Sequence, residues 1–339
     1  MTRAVSATLG VLLGGPHGIT RLVPGEPPLV ELAAAELTIP GREGAPITSL
    51  DAAPVATPAA RGTGRGRSAI AAAGSAAGVW VRDEGGHWTR RRDGHVRCVR
   101  VAPDGLLLAG LEPAGVISSA DGGESWEERP GLGAALRHAT GVRRPTGRAL
   151  AVTGLCFAGD GWLAGVDGGG AWLSHDGGWS WLRSADGLPA EVSGVWEHPE
   201  QPDLAYASTA AGFFRSEDGG ASWVQSLGGL DRSAAGAAAV LPGAPDVLLL
   251  AAARLPRGDR AAAEAVVFRS GDGGIGWRRI ALGGRDEWPE PPALGRLAGS
   301  ADTAFAAAGG RLWATHDRGQ RWLPLADGLP EVLALAAVL

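Results

Sequence analysis

The chain has 339 residues, 45 % of them hydrophobic and 20 % charged, which is enough apolar surface for a buried core and too little charge for a disordered polymer. Its net charge of −5 argues against a general nucleic-acid binder, and no apolar stretch reaches the length of a membrane-spanning helix. Gly 55 and Pro 23 exceed ordinary shares without a collagen period, so they punctuate many short turns and favour an all-β protein. There is no Lys and no Asn, so all 31 basic side chains are Arg: left-handed turn positions fall to Gly or Asp, and an anion must be met by a guanidinium fork. Cys98 and Cys156 cannot frame a disulfide scaffold, and without Asn there is no glycosylation sequon. The expectation is a cytoplasmic protein with reduced thiols.

In chain order, the first segments, ATLGVLLGG, GITRL and LVELAAAEL, have the rhythm of three strands, with no fourth strand upstream of them. The opening MTRAVSATLGVLLGG, with one Arg before a short apolar run, has some features of a signal peptide, but the repeat register needs it as a strand. An octamer S-x-D-x-G-x-x-W then recurs. It is intact at Ser119/Asp121/Gly123/Trp126, Ser174/Asp176/Gly178/Trp181, Ser216/Asp218/Gly220/Trp223 and Ser270/Asp272/Gly274/Trp277. Val81/Asp83/Gly85/Trp88 and Thr315/Asp317/Gly319/Trp322 differ only at the first position. One copy would mean little, but six at quasi-regular spacing make a repeat architecture.

The clearest unit runs from Glu191 to Gly228: EVSGVW (strand A), LAYASTA (strand B), GFFRS (strand C), the octamer turn, then SWVQSL (strand D). Four short strands per repeat of this length are the arithmetic of a β-propeller. Strand C starts at Gly78, Gly115, Gly170, Gly212, Ala265 and Arg311 in the boxed repeats, and Gly18 and Arg21 of the first unit take the places of Gly212 and Arg215. The chain ends on DGLPEVLALAAVL, a near copy of DGLPAEVSGVW at Asp186–Trp196. The terminal strand, Val332–Val338, is therefore expected to supply the missing innermost strand beside Thr8–Leu13, closing seven four-stranded blades with both chain ends in one sheet and no open edge. One propeller domain, residues 1–339, is predicted.

Each residue of the octamer suits a tight hairpin. A short carboxylate such as Asp218 accepts backbone N–H bonds, Gly220 supplies a φ that other residues resist, Ser216 bonds locally, and Trp223 is expected to cap the seam of its own sheet. These positions read as structural. The repeat resembles the bacterial neuraminidase (BNR or Asp-box) family, and the resemblance covers essentially the whole chain. It implies the propeller fold, with Asp boxes in the C–D turns of the lower periphery and ligands met on the upper face by the D–A and B–C loops. The family spans sialidases, xyloglucan hydrolases, sortilin-like receptors and photosystem II assembly factors, so it implies no single activity.

A sialidase would need an arginine triad, an acid Asp and a Tyr nucleophile with its Glu. The sole tyrosine, Tyr206, falls within strand B among residues that read as sheet interior, and Arg21 of RLVP stands at a repeat position shared with Arg215 and Arg269. Glu191 and Glu331 open equivalent strands three blades apart, which does not suit the carboxyl pair of a glycosidase. RGTGRGR at Arg61–Arg67 is not framed as a dinucleotide fingerprint, and no G-x-S-x-G elbow occurs. An enzyme with an unfamiliar channel site, a hydrolase or lyase, remains the alternative reading. His95 and His138 precede strands A that carry Cys98 and Cys156, a conceivable His/Cys metal set of no standard spacing.

The leading expectation is a non-catalytic binding or assembly module without a cofactor, whose upper face recognises a partner protein or an anionic small molecule. Clustered arginines on irregular loops motivate it: Arg90, Arg91 and Arg92 after the second blade, Arg137, His138, Arg143, Arg144 and Arg148 after the third, Arg254, Arg257 and Arg260 in the sixth. The predicted site comprises Arg137, His138, Arg143, Arg144, Arg285 and Trp288, with Trp288 as an apolar contact beside the guanidinium groups.

Overall fold

A computed structural model describes residues 10–16, 18–24, 30–38, 46–56, 67–83, 86–142, 147–184, 186–254 and 264–338. These form seven four-stranded antiparallel sheets arranged as the blades of a propeller. The innermost strands, A, are Ala334–Val338 in blade 1, Ile47–Ala56 in blade 2, Val96–Val101 in blade 3 and Ala151–Ala158 in blade 4. Val192–Glu197, Ala234–Leu241 and Ala293–Arg296 serve blades 5, 6 and 7. Blade 1 joins the two ends of the chain as expected: Val338 stands opposite Gly10 and Ala334 opposite Gly14, in unbroken register. Gly15 sits so close to the returning chain that a Cβ there would fall 2.3 Å from the carbonyl of Glu331.

The octamer turns are hydrogen-bonded as their chemistry requires. In blade 5, Asp218 Oδ1 accepts from Ser216 Oγ at 2.7 Å and from the N–H of Ser222 at 2.9 Å, while Gly220 donates to Ser216 Oγ at 2.8 Å with φ of +92°. The same Ser/Thr-to-Asp and glycine-to-hydroxyl bonds recur at Asp121, Asp176, Asp272 and Asp317. The tryptophans do more than cap their own sheets. Trp126 and Trp181 donate to the carbonyls of Gly123 and Gly178 in their own turns, but Trp223 and Trp277 donate at 2.8 Å to Ser184 and Ser226 in strand D of the preceding blade.

The core accordingly lies in the seams between blades. Cys156, Leu163 and Leu173 of blade 4 pack with Val192, Val195 and Phe214 of blade 5, and equivalent clusters fill the other seams. Each fully buried Leu or Val contributes about 1.5–3 kcal/mol, so neighbouring blades stabilise one another. A–B and C–D turns meet at one end, where Gly219 N–H donates to the carbonyl of Asp203 and Gly273 N–H to that of Asp246. D–A and B–C loops meet at the other, where Gly170 N–H donates to the carbonyl of Ala190. These ends are the lower and upper faces.

The crossing from blade 3 to blade 4 departs from the repeat. Part of it is the helix Gly131–His138, the only helix among the described residues. Leu132 and Leu136, one helical turn apart on one face, are buried against Val116, Val152 and Val166, which explains why a short glycine-containing segment holds helical form here.

Candidate functional site

On the upper face, the helix Gly131–His138 turns Arg137 and His138 outward in its last turn, where positive charge is favoured by the helix dipole. The helix and the chain after it are held from blade 4: Arg183 donates to the carbonyl oxygens of Thr140 and Gly141, and Arg148 pairs with Asp167 at 2.6 Å. Arg143 and Arg144 lie outside the described residues.

Arg285 is exposed on the crossing from blade 6 to blade 7, its guanidinium 4.8 Å from the ring centre of Trp288 and its Nε donating to the carbonyl of Glu287 at 2.7 Å. Trp288 itself is not an exposed apolar contact. It is 5 % exposed, exchanges backbone hydrogen bonds with Ala265, and meets Trp313 edge-on in the seam between blades 6 and 7. The crossing is fastened there by charge: buried Arg232 donates to Glu287 at 2.6 Å and to the carbonyl of Glu264 at 2.9 Å, and Arg279 bonds Asp231 and Glu287. The predicted residues thus fall in two sectors, Arg137 and His138 over the seam of blades 3 and 4, Arg285 and Trp288 over that of blades 6 and 7. No described contact joins the two.

Several other arginines are already engaged. Arg90, Arg91 and Arg92 belong to strand D of blade 2, Trp88–Arg92, and not to the crossing that follows it. They pair with Asp93 at 3.1 Å, Glu124 at 2.6 Å and Glu128 at 3.0 Å. Arg254 lies 3.5 Å from Glu264, and Arg257 and Arg260 are outside the described residues.

The residues of the conceivable metal set are separated by environment. Cys98 and Cys156 are free thiols 6 % and 1 % exposed, and burial pushes both up to about 12. Cys98 donates its thiol hydrogen to the carbonyl of Val152 at 3.3 Å. His95 instead lies at the surface 3.7 Å from Glu112, and His138 is exposed on its helix. Among the described residues no three His, Cys, Asp or Glu side chains are grouped to hold a metal ion. Tyr206 is fully buried, stacked on Phe213, and burial pushes its phenol up to about 12, which suits packing and not nucleophilic attack.

The central channel holds charges that turn chemistry and loop length do not reveal. A cavity of about 750 Å³ runs between the A strands. Near its lower end Arg100 of blade 3 reaches both Asp51 of blade 2, at 2.5 Å, and Glu197 of blade 5. Asp51 also accepts from the N–H of Val101 at 2.7 Å, and Glu197 from that of Phe157 at 3.2 Å. Arg296 of blade 7 faces the same space. The signal in the sequence was arginine set among the apolar residues of an inner strand, as with Arg97 and Arg100 in VRCVRV.

No protein-family model matches the chain, and no curated protein matches it in sequence. Solved structures do match in shape. The GH74 xyloglucanase from Xanthomonas campestris is 16 % identical with a TM-score of 0.59 over 83 % of this chain, and this chain spans only 45 % of that one. YCF48 bound to D1 peptide is 14 % identical with a TM-score of 0.54, over 92 % of this chain and 93 % of that one. The WD40 repeats of RRP9 are 12 % identical with a TM-score of 0.53, over 96 % and 88 % of the two chains. A glycoside hydrolase, a peptide-bound propeller and a WD40 protein share this shape, and what they share with the chain is the β-propeller, built here with seven blades.

Proposed function

We propose that this chain is a non-catalytic propeller of the Asp-box type that works as a binding or assembly module, docking a protein partner with an acidic surface on its upper face. The observation that carries the reading is the helix Gly131–His138: it breaks the repeat, is anchored by buried Leu132 and Leu136, and presents Arg137 and His138 to solvent. Arg143 and Arg144, which follow it in the chain, belong to the proposed surface, as does Arg285 on the far side of the ring. Cations on separate seams suit a macromolecule, since a protein interface covers about 800 Å² per partner, and one small anion cannot touch both sectors. YCF48, a propeller of similar shape, has been solved with a bound peptide.

The channel carboxylates support a binding role over a hydrolytic one, because Asp51 and Glu197 are committed to Arg100 and to backbone N–H groups. The reading calls for no cofactor, and the free buried thiols suit the cytoplasm. The test is co-purification from the native host with wild-type protein and with a triple variant, Arg137→Ala, His138→Ala and Arg285→Ala, at low and high salt. An acidic partner held by the wild type at low salt, released by salt and lost from the folded variant is the expected result. Equal retention by the variant, cross-links mapping to the lower face, or turnover of a glycan by the purified protein would refute the reading.

A further inference from the structure

We infer that the lower half of the central channel is a binding site for a small oxyanion, a carboxylate or a phosphate group, centred on Arg296. The site is distinct from the proposed docking face, which lies at the other end of the propeller.

Arg296 ends strand A of blade 7 and lines the cavity of about 750 Å³. It is half-buried, and among the described residues its guanidinium makes no hydrogen bond and no ion pair. The nearest carboxylates on the wall are spoken for. Asp51 is bound by Arg100 and by the N–H of Val101, and Glu197 by Arg100 and by the N–H of Phe157, so each is held by a cation and a backbone donor. Arg100 has both terminal nitrogens engaged by those partners and contributes local positive potential, leaving its neighbour without a counter-ion.

A guanidinium does not escape this by losing its proton in the ordinary range of pH. Burial, and then the charge of Arg100, hold Arg296 below its ordinary value, against the opposing pull of Asp51 and Glu200. Glu200 is exposed on the A–B turn of blade 5 and forms no ion pair with Arg296, so it does not close the site. The physical remedy for a partly desolvated, unpaired guanidinium beside a second cation is an external anion that accepts its forked N–H groups. The cavity has room for one, and half-buried Trp196 on the same wall offers an apolar surface to the body of an organic acid. Nothing in the propeller's construction requires Arg here, because the residues at the same register of the inner strands of blades 4 and 6 are Phe157 and Val240.

Titration calorimetry at constant ionic strength, with inorganic phosphate and with acetate as separate probes against a chloride background, tests this on the full chain. The expected result is saturable binding of one anion per chain by at least one probe, weakened about tenfold or more in Arg296→Met, partly restored in Arg296→Lys, and unchanged in Arg311→Met. Arg311 serves as the control because it is an exposed blade 7 arginine paired with Asp327. Preference for phosphate or for acetate then assigns the ligand class. Absence of saturable binding of both probes, or equal binding by folded Arg296→Met, overturns the inference. If Arg296→Met does not fold, a selenate soak of wild-type crystals decides: density against the Arg296 guanidinium supports the site, and an empty channel refutes it.

Discussion

The indole Nε1 of Trp223 lies 2.8 Å from Oγ of Ser184, so the turn of blade 5 is bonded to the outer strand of blade 4. Ser184 is 3 % exposed and passes its own hydrogen to the carbonyl of Gly220 in the same turn. Ser184→Ala leaves a buried indole N–H and a buried carbonyl without partners, a loss of about 1–3 kcal/mol. A double-mutant cycle with Trp223→Phe should show a coupling of about 0.5–1.5 kcal/mol by denaturant unfolding. Strict additivity would mean that the indole bond does not couple the blades.

Closure of the ring gives a second expectation. Ala334–Val338 hydrogen-bonds Gly10–Gly15 across the full register, and Leu335 and Ala337 pack with Phe305 and Leu312 of blade 7. Ending the chain at Leu333 removes that strand and exposes both the edge of Gly10–Gly15 and the blade 7 seam. Such an edge is a template for association, so size-exclusion chromatography should show soluble oligomers or aggregate where the full chain is monodisperse. A truncated chain that stays monodisperse with an unchanged melting temperature would count against closure as the stabilising device.

The repeat and its closure were legible because their causes are local. Ser216, Asp218 and Gly220 build their turn from atoms four residues apart, and the DGLP copy at the C-terminus announces its strand by likeness alone. The surface was less legible because its partners are distant in the chain. Arg92 is met by Glu128 and Arg232 by Glu287, carboxylates from neighbouring blades. Trp288 is drawn into the core by Trp313, and the helix Gly131–His138 takes shape only because a seam receives its two leucines.

The turn carboxylates predict an acid response. Bonds from the Ser125 hydroxyl and N–H, with Ser119, hold Asp121 well below the ordinary carboxylate range, to about 2, and Ser180 with Ser174 does the same for Asp176. For Asp218 burial alone would act upward, but Ser222 and Ser216 outweigh it and the net direction is down. A carboxylate lowered in the folded state stabilises it fully above the unfolded value, about 4, and that contribution fades as pH falls through the folded value. Urea midpoints should therefore drop between about pH 4 and pH 2. In Asp121→Asn the drop should be shallower from a lower starting stability, and an unchanged slope would contradict the assignment.

The last expectation concerns how the helix Gly131–His138 serves the proposed docking face. Leu136 is 4 % exposed beneath the helix, and Arg137, the next residue, points out. Leu136→Ala removes buried methyl groups from the seam of blades 3 and 4, which costs about 2–5 kcal/mol and loosens the support of the helix. Arg137→Ala leaves that support intact, so its effect on stability should stay within about 0.5 kcal/mol. The two variants therefore separate position from charge. Arg137→Ala should weaken partner binding and flatten its salt dependence without moving the melting temperature. Leu136→Ala should lower the melting temperature and weaken binding while the residual binding stays salt-dependent, because its cations are still present. If Leu136→Ala melts early yet binds at full strength, the helix is only a plug for the seam, and the docking surface lies elsewhere on the upper face.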